Sequence, residues 1–192
     1  MERTIKIALF SLAFNTSFAT YNLVLGFIEP SWWFLSLGSY YLILSAVRFA
    51  VLITKRSERF ITGFTSWMLM LLSIPLAGIV ILSVVRDRGR KFHIIVMIAI
   101  ATYAFTKISV AAINWFKSKR GKSVKHITLR NVSLADAFVS IFALQRSMLV
   151  SFEGMTESEI QTMNALLGFA VCIIVFLLGR NLKKTIDYKN ED

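Results

Sequence analysis

The stretch NVSLADAFVSIFALQRSMLVS, residues 131–151, places two demands on one helix. Its apolar run is long enough to cross a bilayer, which takes roughly 20 mostly apolar residues, yet Asp136 lies near its start. A soluble amphipathic helix would confine its apolar residues to a stripe of period 3.6 and wet the rest. Here the apolar residues cover most of the circumference. The polar ones, Ser133, Asp136, Ser140 and Ser147, keep to one line at offsets of three, four and seven. That is the pattern of a membrane helix turning its polar line toward neighbouring helices, because hydrocarbon offers those groups no partner.

Five further blocks have the same apolar character: about 5–27, 32–54, 65–85, 93–116 and 161–179. The chain has 192 residues, of which 56% are hydrophobic, so the blocks and not the connectors dominate it. The pattern predicts an all-α polytopic membrane protein, one six-helix domain over residues 1–192. No ten-residue alternation of a membrane barrel occurs. Arg3 and Lys6 precede the run IALFSLAF in the manner of a signal peptide. The hydrophobic stretch continues through YNLVLGF without a small-residue cleavage site, so it reads as a retained first span.

The formal charge of +11 is compatible with nucleic-acid binding or with membrane topology, and its distribution decides between them. With both ends on one side, that side receives fifteen Lys and Arg; the other receives Arg86, Arg88, Arg90 and Lys91 only. Such an imbalance sets both termini in the cytoplasm of a plasma-membrane protein. It also suits the loop KSKRGKSVKH to anionic lipid, chiefly as an orientation determinant, and predicts no nucleic-acid partner. The outer cluster RDRGRK, residues 86–91, is not explained by this rule. Trp32, Trp33 and Trp115 read as interfacial anchors, and Pro75 is expected to kink the third span.

Polar residues inside the blocks map the interior. Asn15, Ala19, Asn22 and Gly26 share a line in the first span; Gly38, Tyr41, Ser45 and Arg48 in the second; Tyr103, Lys107, Ala111 and Asn114 in the fourth. With the fifth span these predict a small polar core that includes Ser133, Ser140, Tyr40, Tyr41, Asn15 and Asn114. The sixth offers Asn164, Gly168 and Cys172 at four-residue steps, a close-packing face. The third, nearly all apolar, is expected at the periphery. Arg48, Lys107 and Arg146 are the intramembrane bases, Arg146 near enough to the boundary to snorkel. An unpaired charge at the bilayer centre costs about 2.5–3.5 kcal/mol on insertion scales. Asp136 therefore needs Arg48, Lys107 or both, either as a permanent salt bridge or as part of an ion or proton pathway.

The segment SVKHITLRNVSLADAFVSIFAL resembles the fourth loop and fifth helix of the cation diffusion facilitator family. GFIEPSWWFLSLGSYYLILSAVRF, YAFTKISVAAINWF and ALLGFAVCIIVFLLGRNLKKTI are similar to its second, fourth and sixth helices. The resemblance implies a six-helix, cation-efflux-like bundle and a metal-ion/proton antiporter. It places Asp136 on the aspartate of the family's His-x-x-x-Asp motif. The histidine position is Val132, and the second-helix carboxylates fall at Tyr40 and Leu44. A transition metal needs several converging N, O or S donors, so the expectation is no metal site and no cofactor. The family's soluble dimerisation domain is also not expected in this chain.

No phosphate-binding glycine loop, zinc-protease helix or nucleophile elbow occurs, and no catalytic role is expected. Two functions follow. One is movement of a cation or of protons through Asp136 by a non-standard site. The other is a non-transporting scaffold or accessory subunit, a homodimer or a companion of another membrane protein, with a built-in salt bridge in place of the metal.

Overall fold

The computed structural model describes residues 2–28, 32–53, 58–85, 94–120, 124–151 and 154–188. Among them the chain forms six α-helices: α1 (Glu2–Ile28), α2 (Trp32–Ile53), α3 (Glu58–Val85), α4 (Ile94–Arg120), α5 (Val124–Ser151) and α6 (Glu157–Tyr188). Helices α2 to α6 each hold a stretch long and apolar enough to cross a membrane, whereas the apolar stretch described in α1, Leu12–Ile28, is shorter. The protein is an all-α membrane bundle. The RDRGRK cluster, the turn holding Pro30 and residues 121–123 of the basic loop lie outside the described residues.

The helices outrun the apolar blocks. Helix α5 has 28 residues, about 42 Å at a rise of 1.5 Å per residue, against a hydrocarbon core of about 30 Å. The i→i−4 ladder does not stop where the lipid stops. At that end α3 and α5 extend together and build a second small core from Val51, Ile61 and Leu129. The buried hydroxyls of Thr62 and Thr128 meet there at 3.2 Å.

Helix α3 is not peripheral. It pairs with α6 more extensively than any other two helices pair and also touches α2 and α5. The reason is small residues. A Cβ added at Gly168 would lie 2.6 Å from both γ-carbons of Val80, and one at Gly179 would lie 3.0 Å from the Ser66 carbonyl oxygen. The two backbones therefore approach closely at points three turns apart, with the helices antiparallel. The Ser66 hydroxyl completes the contact by donating to the Gly179 carbonyl at 2.7 Å. Leu69, Leu72 and Leu76 of α3 join Leu44, Val139 and Phe142 in the main core. Helix α3 continues through Pro75; the missing N–H removes one ladder bond without ending the helix, since neighbouring helices support it in lipid.

The two adjacent tryptophans differ. Trp32 is 67% exposed, as a boundary residue should be, but Trp33 is only 6% exposed. Trp33 packs edge-on against Phe142, and the Arg146 guanidinium lies 3.9 Å from its ring centroid. Arg146 is itself only 4% exposed, and the aromatic face takes part of its charge inside the bundle.

Helix α6 begins at a capping box formed by Thr156 and Glu159. Glu159 Oε2 accepts from both the Thr156 amide and hydroxyl at 2.8 Å, and the Glu159 amide reaches back to Thr156 Oγ1 at 3.4 Å. Gly154, at φ 108°, turns the chain into this cap in a conformation that disfavours a side chain. Replacing Thr156 by alanine removes the reciprocal acceptor. Amide exchange in the first turn of α6 is expected to accelerate about fivefold, the scale of a lost cap. Hydrogen–deuterium exchange checks this, and unchanged protection at Glu159 and Ile160 would count against the cap.

Candidate functional site

Four helices each deliver one side chain to a point inside the bundle. Asp136 of α5, Asn15 of α1, Arg48 of α2 and Lys107 of α4 are all buried, none more than 2% exposed. One carboxylate oxygen, Asp136 Oδ2, accepts from all three: Lys107 Nζ at 2.8 Å, Asn15 Nδ2 at 3.0 Å and Arg48 Nη2 at 3.2 Å. Lys107 is the nearest partner, at a distance usual for a charge-assisted bond. The guanidinium meets Oδ2 through one nitrogen and not as a two-bond fork. Asp136 Oδ1 has no hydrogen-bond partner although it is buried.

The surrounding residues explain why the cluster has one geometry. The Tyr103 hydroxyl donates to Asn15 Oδ1 at 3.0 Å. This fixes the amide so that its NH₂ faces the carboxylate; the reverse orientation would set oxygen against oxygen. Ser140 spends its single proton on the Asp136 carbonyl at 2.8 Å. The 3.0 Å contact between Tyr41 and Ser140 therefore has the phenol as donor. The Tyr41 bond ties α2 to α5 one turn from the charge.

An aromatic wall closes the site. Phe18 stacks on Tyr103 with centroids 3.8 Å apart, and Tyr41 stands edge-on to both rings. The Lys107 ammonium lies 5.1 Å from the Tyr103 centroid and 5.9 Å from that of Phe14. Rings at these distances attract a cation through their quadrupole and keep water away. Phe14 and Phe18 were not marked by the polar lines. They flank Asn15 at i−1 and i+3, so the signal available was an aromatic pair four residues apart beside a buried polar residue.

The remaining polar-core residues divide. Asn114 donates to Ser133 at 2.8 Å, a separate α4–α5 link. Tyr40 is buried but makes no hydrogen bond to the cluster. Its hydroxyl has no partner, nor has that of Ser45. Val132 and Leu44, the positions of missing ligands in the resembling family, are fully buried apolar residues. Among the described residues no three His, Cys, Asp or Glu side chains come together to hold a metal ion.

No protein-family model, curated protein or solved structure matches this chain.

Proposed function

We propose that the Asp136 cluster is a fixed charge lock and that the protein serves as a non-transporting scaffold or accessory subunit within its membrane. The observation that supports this is the pair of tethered cations at hydrogen-bond distance from one carboxylate oxygen. Coulomb's law sets the scale. At an effective dielectric of about 20 and a separation of about 4 Å, two unit charges interact by about 4 kcal/mol. A divalent ion entering beside the three charged groups would gain about 8 kcal/mol from the carboxylate and lose about 16 to the two bases. Arg48 and Lys107 hold the place that a transported metal would need. We place the protein in the plasma membrane with both termini in the cytoplasm, the orientation that the basic balance of the connectors favours.

A second reading, movement of a cation or of protons through Asp136, has one specific observation in its favour. Oδ1 is a buried carboxylate oxygen without a hydrogen bond, and intramembrane acids commonly mark such pathways. The resemblance of the fifth helix to that of the cation diffusion facilitators points the same way. Proteoliposomes separate the two readings, using a panel of divalent cations and an internal pH probe. The charge-lock reading expects flux equal to that of empty liposomes, both for the wild type and for Asp136→Asn. Wild-type flux that Asp136→Asn abolishes would replace it with the transport reading.

A further inference from the structure

We propose that a phospholipid with an anionic headgroup occupies the outer groove between α3 and α6, its phosphate held by Arg180, Lys183 and Lys184. The groove has a volume of about 560 Å³ and is lined at one end by those three bases and at the other by Ile74 and Phe176. No acidic residue lines it among the described residues. Its floor is the close contact of Gly179 with Met70, which lets the two helices meet below while their outer faces stay apart.

The polarity changes along the groove in one direction. From Phe176 to Arg180 is four positions and to Lys184 eight, about 6 and 12 Å along a helix, so the charges lie about one to two turns beyond the apolar end. Ile74 is 67% exposed and Trp67 57% exposed, both toward the membrane. The Lys183 ammonium lies 5.3 Å from the Trp67 centroid. Stacking there holds it over the groove mouth, at the level where indole rings prefer to sit between headgroups and hydrocarbon. The ligand that fits has a negative head and a hydrocarbon tail within the same molecule. A soluble anion would leave the apolar half empty, and an apolar helix from a partner would set its surface against three charges. This inference does not depend on the charge lock.

The test uses the purified full chain in a non-ionic detergent, with an equal mixture of phosphatidylglycerol and phosphatidylcholine, read by native mass spectrometry. The wild type is expected to retain one phosphatidylglycerol in clear preference. Arg180→Gln, Lys183→Gln and Lys184→Gln together should remove the preference, each base contributing about fivefold. Ile74→Trp leaves every charge in place but fills the apolar half, so it should also lower retention. It guards against a triple variant that fails to insert. Arg86→Gln, Arg88→Gln and Arg90→Gln together remove as many charges from the outer connector and should retain the wild-type preference. An unchanged preference in the groove variants, an equal loss in the connector variant, or a dimer that excludes phosphatidylglycerol would overturn the proposal.

Discussion

Asp136→Asn destabilises the bundle by about 3–5 kcal/mol, the usual cost of removing one partner from a buried ion pair. The change deletes the negative charge shared by Lys107 and Arg48 and leaves their charges, one from α4 and one from α2, facing each other around a neutral amide. Lys107→Met alone should cost less, because Arg48 and Asn15 still reach the same oxygen. The double variant Lys107→Met with Asp136→Asn should recover about half of the loss or more, since the net charge of the cluster returns to that of the wild type. Unfolding in mixed micelles measures all four proteins. A negative result is clear: if Asp136→Asn costs under about 1 kcal/mol, the range of a solvated surface pair, the lock does not hold the helices together.

The second large effect lies across the bundle. Gly168→Ala places a methyl group 2.6 Å from both γ-carbons of Val80, so no rotation of that valine clears it. Val80 is only 1% exposed and has no space to retreat. Overpacking of this kind costs about 1–3 kcal/mol, and Gly168→Leu should separate α6 from α3 outright. Pairing Gly168→Ala with Val80→Ala should restore most of the stability by making room. Gly78→Ala is the matched contrast: nothing lies within 4 Å of its added carbon. It should be neutral, or stabilising by up to about 1 kcal/mol through the lower backbone entropy of alanine. Equal effects at Gly168 and Gly78 would mean that close approach does not organise the pair.

The six helices and the interior faces of four of them could be read from the amino acids because lipid makes the rule strict. A polar group in hydrocarbon must find a partner on another helix, so Asn15, Arg48, Lys107 and Asp136 announced the direction each helix faces. The spacing could not say which base serves Asp136, since that depends on helix rotation and depth; both do, through the same oxygen. Trp33 was misjudged for a related reason: it looked like a boundary anchor because tryptophans are common there, yet it is buried beside Phe142 and the Arg146 guanidinium. Helix α3 looked peripheral because apolar residues carry no orientation signal. Only the steric fit of Gly168 and Gly179 against it shows that it is central to the packing. Tyr40 lies beside Tyr41 in sequence, yet one step around a helix is about 100°; Tyr41 bonds Ser140 while the Tyr40 hydroxyl bonds nothing.

Solid-state NMR in lipid bilayers offers the most direct test, using protein isotope-labelled at the side-chain nitrogen of Lys107 and the carboxyl carbon of Asp136. Dipolar recoupling between the two labels should be strong, as required by a 2.8 Å contact between ammonium and carboxylate. It should vanish in Asp136→Ala. Absence of coupling in the folded wild-type protein would mean that the acid and the base do not meet, and the charge lock would have to be abandoned.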